Sequence, residues 1–146
     1  MVPEKETRFA SPSTQAAFRR SLASIEPLSS WLMDFAKLHG LDGSVTFELD
    51  LALEEIFTNM VKYNPDGEES VQFRITKTPP EIVITIVDGG VPFDMTKAKQ
   101  IDVGAPLSER NAGGLGIHLV RKMIDRIVYR YVDGRNEVTL FKTMEK

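Results

Sequence analysis

Three stretches carry residues whose types and spacing could do chemistry. In "EEIFTN" (Glu54–Asn59), Glu55 and Asn59 stand four apart, so on a helix they share one side, a turn from each other. A carboxylate and a carboxamide placed this way could share a magnesium ion or hold a water beside a phosphate. Magnesium takes oxygen ligands and keeps several waters, so one protein oxygen plus phosphate oxygens is enough. The same pair also reads as a solvated helix edge. In "DGGVPFD" (Asp88–Asp94), an acid closes the apolar run "EIVITIV" and two glycines follow. This is an ordinary turn, or a place where the backbone comes close to a flat ligand that Asp88 holds. In "NAGGLGIHLV" (Asn111–Val120), glycines run into an amphipathic helix. The free backbone N–H groups at such a helix start suit a phosphate. The stretch is neither a dinucleotide fingerprint nor a P-loop, since GxGxxG and the GK[ST] ending are both missing.

These residues need elements to position them. Phe18, Leu22, Ile25, Leu28, Leu32, Phe35 and Leu38 recur at helical intervals. That spacing predicts a helix from a cap at Ser11 or Ser13 to a stop at Gly40, which Pro27 kinks or divides in two. Leu49, Ala52, Leu53, Ile56, Phe57 and Met60 form one apolar stripe. Glu55 and Asn59 therefore lie beside the stripe of a second helix, which Pro65 and Gly67 end. Val71, Phe73 and Ile75 alternate with polar residues, as in a half-buried strand. Ile82 to Val87 is nearly all apolar and reads as a strand buried on both faces. Residues 89–114 are irregular, with one helical turn near Thr96 to Ile101, and segments of this length are usually lids or binding loops. Leu119, Val120, Met123, Ile124 and Ile127 predict a third helix. "VYRYV", the turn "DGRN" and "EVTLFK" predict a closing hairpin. Residues 1–12 are expected to form a tail with an edge strand around Lys5 to Ala10. Helices and strands in blocks imply an α+β fold, a two-layer α/β sandwich with helices on one face of a mixed, mostly antiparallel sheet.

Composition narrows the function. The 146 residues fit a single domain without repeats, and a net charge of -3 argues against a general nucleic-acid binder. With no cysteine, disulfides, Cys-based zinc sites and thiol nucleophiles are excluded, which suits a reducing cytoplasm. His39 and His118 lack metal-ligand spacing. No stretch nears the roughly 18 apolar residues of a membrane span, and the N-terminus has no apolar run of the signal-peptide kind.

Taken together and in this order, the three stretches resemble the Bergerat or GHKL ATP-binding fold shared by histidine kinases, gyrase B and MutL. "EEIFTN" matches its N box, "DGGVPFD" its first glycine box and "GGLGIHLV" its second. Within that fold the chain looks most like the small stand-alone anti-sigma factor serine kinases of bacteria. "PFD" after the aspartate, "GGLGI" followed by "LVRKMID", and a final "GRNEVTLFK" are typical of that branch. The resemblance runs from about Phe47 to Lys142.

The resemblance implies roles residue by residue. Asn59 would be the magnesium ligand and Glu55 the general base for a protein hydroxyl or water. Glu54 points about 100° away round the helix and stays on the surface. Asp88 would accept the adenine amino hydrogen, and Gly90 would let the base pack close. Gly113, Gly114 and Gly116 match the lid hinge and the phosphate-facing helix start. Arg110 would reach the γ-phosphate from the lid or remain a solvated charge. Thr139 would support the adenine site, or is simply a β-branched strand residue. Tyr63 stands where many relatives have histidine. Neither His39 nor His118 sits in a dimerisation hairpin, so a complete two-component histidine kinase is not expected. The implied protein is a cytoplasmic, homodimeric serine kinase using ATP and Mg2+, with no direct nucleic-acid or membrane partner. It would hold a sigma factor inactive and phosphorylate a STAS-domain anti-anti-sigma protein. One alternative is an ATP/ADP-responsive binding module without kinase activity. Another is a scaffold that no longer binds nucleotide, against which the intact Glu55, Asn59, Asp88 and glycines argue.

Overall fold

The computed structural model describes residues 11–63, 69–94 and 112–144, with side chains from 118 onward in the last stretch. Its first element is a strand, β1 (Ser13–Arg19), where the apolar spacing predicts the start of a helix. Phe18 fits a helical stripe, but Thr14 and Ala16 are shielded along with it while their neighbours are exposed, and that is period two. Seven consecutive residues pair antiparallel with β2 (Ser70–Thr78), from Ser13↔Thr76 to Arg19↔Ser70. The ladder pairs the backbone of β1 along its β2 side, whereas the next stripe position, Leu22, stays 51% exposed.

A single 3-10 turn at Leu22–Ser24 leads into helix α1 (Ile25–His39). Pro27 falls in its first turn, where a missing N–H costs no helical bond, so α1 runs undivided. Gly40 stops it in the left-handed conformation, at φ 64°, and Lys77 Nζ donates to the terminal carbonyl of His39 at 2.9 Å. Asp42 then caps helix α2 (Gly43–Tyr63), its Oδ1 accepting from the Ser44 N–H at 2.8 Å and from the Ser44 hydroxyl at 2.6 Å. The whole predicted stripe of α2, Leu49 to Met60, is buried.

The remaining elements are β3 (Glu81–Gly89), helix α3 (Ala112–Met123), β4 (Arg126–Val132) and β5 (Arg135–Thr143). The five strands form one sheet in the order β1-β2-β3-β5-β4, and every pairing is antiparallel. The helices cover one face, where Val71, Phe73, Ile75, Ile82, Ile84, Ile86, Val138 and Leu140 meet the helical stripes in one core. Val83, Thr85 and Val87 face the other way and are only half-buried, so β3 is covered on one face rather than two. The third helix also differs from expectation at both ends. It opens at Ala112, so the glycines lie within it, and it stops at Met123, whose carbonyl accepts from Lys142 Nζ. Lys142 also lies 3.5 Å from Glu48 of α2, fastening β5 to both helices. Ile127 is on β4, opposite Leu140. The hairpin turns on two residues, Asp133 (φ 52°) and Gly134 (φ 75°), the positive-φ pair that matches the twist of the flanking strands. The expected edge strand at Lys5 to Ala10, the stop at Pro65 and Gly67, and the turn near Thr96 to Ile101 lie outside the described residues.

Candidate functional site

Asp88 is the last side chain of β3 on the core-facing side. The alternation that buries Ile82, Ile84 and Ile86 buries it too, and its carboxylate is 0% exposed. Its ion partner is Arg20, one residue past the end of β1, whose side chain is 6% exposed. Arg20 Nη1 also donates to the Met60 carbonyl of α2 at 3.3 Å. One guanidinium therefore spans from the strand that carries Asp88 to the helix that carries Asn59. Removing one partner of such a buried pair typically costs about 3–5 kcal/mol, because the other charge stays behind.

On α2, Asn59 is 3% exposed, so its carboxamide is buried. Glu55, one turn earlier, is half-buried. Burial holds its carboxyl above the usual glutamate range; Lys62 pulls the value back down and Glu54 pushes it up. Glu54 is exposed, as the helical geometry requires, and so is Tyr63.

The chain leaves Asp88 through Gly89 and Gly90, and Gly90 needs its missing Cβ because its φ is 117°. The Tyr131 hydroxyl donates to the Gly90 carbonyl at 2.7 Å. Asn136 of β5, the pairing partner of Asp88, is 1% exposed and holds the next residues. Its Oδ1 accepts from the Phe93 N–H at 2.8 Å and from the Tyr129 hydroxyl, and its Nδ2 donates to the Val91 carbonyl at 2.9 Å. Burial raises the Tyr129 hydroxyl above its ordinary value.

The sequence-derived set thus divides. Asp88, Gly90 and Asn59 belong to the end of the core where β3 and α2 are bridged by Arg20, and Glu55 lies a turn along the same helix. Gly113, Gly114 and Gly116 lie in the first two turns of α3, where a helix has free N–H groups in its first turn only. Arg110 lies outside the described residues. Thr139 is corrected: opposite Thr85 and between the buried Val138 and Leu140, it faces the open side of the sheet, away from Asp88. Asn136 and Arg20 were missed. The signal for Asn136 is parity, because counting back by twos from Leu140 and Val138 reaches Asn136, while Thr139 falls out of step. Arg20 is likewise two past Phe18, a signal visible only once β1 is seen as a strand. Among the described residues no cluster of three metal-ligating side chains exists.

A glycine-bent strand end with a buried acid, beside a helix offering a buried carboxamide and a raised carboxyl, defines a class. The histidine kinase-like ATPase domain family matches residues 18–142, and the chain belongs to it. It is similar to the serine/threonine-protein kinase BtrW of Bordetella bronchiseptica, 27% identical over 112 residues, covering 75% of this chain and 79% of that one. It is also similar to the serine-protein kinase RsbW of Listeria monocytogenes, 30% identical over 111 residues, covering 70% of this chain and 69% of that one. Among solved structures, the RsbU and RsbW domains of Rv1364c from Mycobacterium tuberculosis match with a TM-score of 0.68 at 12% identity, over 92% of this chain. The chain covers 33% of the length of that structure, and this likeness bears on the fold alone. The family and the α+β sandwich expected from the sequence are borne out. No described helix is long and apolar enough to cross a membrane.

Proposed function

We propose that the chain is a cytoplasmic ATP-dependent protein-serine kinase that also binds a sigma factor and phosphorylates a STAS-domain anti-anti-sigma protein. The observation that carries this reading is Asp88, a wholly buried acid at a glycine-bent strand end in a chain of this ATPase family. A buried acceptor there selects an amino-substituted purine over an oxo one, since the wrong base leaves a polar group unpaired. Asn59 fits magnesium: an amide oxygen is a suitable hard ligand, and one protein oxygen suffices when phosphates and waters complete the shell. The ion would supply charge neutralisation at the phosphates. Glu55 is the base in this proposal. It takes the proton of a serine hydroxyl as that oxygen bonds to the γ-phosphorus, the bond to the ADP oxygen breaks, and ADP leaves with the electron pair. A carboxyl raised by burial is a better proton acceptor than a fully solvated one. Gly113, Gly114 and Gly116 would bring the helix start near the phosphates, and Arg110 would add a positive charge.

The test is binding of MgATP by calorimetry with transfer of γ-phosphate label to STAS proteins encoded near the gene. The wild type should bind and transfer, Asp88→Asn should lose binding, and Glu55→Gln should bind without transferring. Unchanged affinity in Asp88→Asn removes the nucleotide reading. Binding without transfer to any such partner leaves an ATP-responsive binding module instead.

A further inference from the structure

The acid that the nucleotide reading needs is already engaged in the folded chain. We propose that Arg20 is an internal occupant of the adenine position, and that adenine reaches Asp88 only by exchanging with it. The inference rests on the nucleotide reading of Asp88. Asp88 has no exposed surface, and Arg20, 6% exposed, is its ion partner. A base arriving at the strand end meets a guanidinium before it meets an acceptor. The same guanidinium reaches the Met60 carbonyl at 3.3 Å, so it occupies the space between β3 and α2 rather than lying against one wall.

The backbone around Arg20 allows the exchange. Arg20 lies just past the last paired residue of β1, and its N–H bonds to the Glu69 carbonyl at 2.6 Å. The following residues form the short 3-10 turn with Leu22 exposed. The side chain can swing outward without breaking the β1 ladder. The chemistry makes the exchange uphill. A guanidinium–carboxylate contact is charge-assisted, whereas the adenine amino group is a neutral donor. Apparent affinity for ATP is then the intrinsic affinity reduced by the fraction of chains in which Arg20 has left. Arg20 is thus an affinity-setting residue for the site. Removing its charge should tighten ATP binding, the opposite of what loss of a ligand-holding arginine does.

The experiment is calorimetric titration of MgATP into wild type, Arg20→Met, Arg20→Gln and Asp88→Asn, each checked for folding by circular dichroism. If the open form is at most about a tenth of the population, Arg20→Met tightens binding by about tenfold or more, and Arg20→Gln by less. Equal or weaker binding in both Arg20 variants, with Asp88→Asn inactive, overturns the exchange and keeps the nucleotide site. No binding by wild type or any variant, or full binding by Asp88→Asn, overturns the nucleotide reading and the exchange with it. A measurement on the wild type needs no variant to fold. Solvent exchange of the arginine side-chain N–H groups, followed by NMR, should show a slow Arg20 signal that becomes fast with saturating MgATP. A signal that stays slow in the bound protein refutes the exchange.

Discussion

Replacing Asn136 by alanine should cost far more than a strand-end asparagine normally does. The side chain is 1% exposed and makes three hydrogen bonds, two to the backbone of the segment that follows Asp88 and one to the Tyr129 hydroxyl. A net hydrogen bond is worth about 1 kcal/mol and an orphaned buried partner costs more, but water can re-satisfy the partly exposed Val91 carbonyl. The sum is roughly 2–4 kcal/mol. For a domain of this size that lowers the melting temperature by roughly 5–15 °C. Tyr129→Phe deletes one of the three and should cost about 1 kcal/mol. Urea unfolding can be followed through the single tryptophan, Trp31, which packs edge-on against Phe18 and Phe73 in the core. The reasoning is refuted if Asn136→Ala costs no more than Tyr129→Phe. In that case the segment after Asp88 is held by something other than Asn136. MgATP affinity should fall in Asn136→Ala as well, because the same bonds place the glycine bend against the acid.

Glu55 supplies a pH prediction. Its carboxyl is raised, chiefly by burial, so the proposed base stays protonated to a higher pH than an ordinary glutamate. Transfer should therefore fail on the acid side above the usual glutamate range. The folded state holds this proton more tightly than the unfolded state. Stability is thus lost as pH rises from the ordinary glutamate value through the raised one. Glu55→Gln should be the more stable protein at neutral pH and gain nothing at pH below the ordinary value, as denaturant midpoints at two pH values will show. Phe57 is 0% exposed and meets Phe73 at 6.1 Å between ring centroids. Phe57→Ala should cost about 3–5 kcal/mol, read from the same urea curves. Gly90→Ala places a Cβ at φ 117° and should cost about 1–3 kcal/mol while weakening MgATP binding, whereas unchanged binding would free Gly90 from any part in the site.

How much of this was legible in the sequence depends on whether a period was unique. The α2 stripe has one interpretation, and every residue assigned to it is buried. The alternation in β2 and the Asp-Gly turn are equally unambiguous. Phe18, by contrast, satisfies a helical stripe and a strand alternation at once, and only pairing with β2 decides between them. The error at β1 hid Arg20, whose inward direction follows from strand parity. At β5 the motif resemblance drew attention to Thr139, although the apolar residues on either side already place it on the other face. In the sequence Asn136 belongs to "DGRN", which looks like four turn residues, while the hairpin needs only Asp133 and Gly134. The ion pair across the core could not be read at all, since it joins residues 68 positions apart in sequence through three strands.

The strand order has a consequence for how the domain is made. β5 is translated after every other element, yet it lies between β3 and β4. While the ribosome is still short of Arg135, β1, β2 and β3 can pair and α2 can dock. The far edge of β3, a row of backbone N–H and C=O groups, has no partner then. Unpaired strand edges of this kind are where nascent chains associate wrongly. β4 pairs with β5 alone, so it joins the sheet only when β5 does, and the two strands dock on β3 as a hairpin. The Asp88 end of β3 pairs with Arg135 and Asn136, the first residues of β5, so it acquires its neighbour before the Glu81 end does.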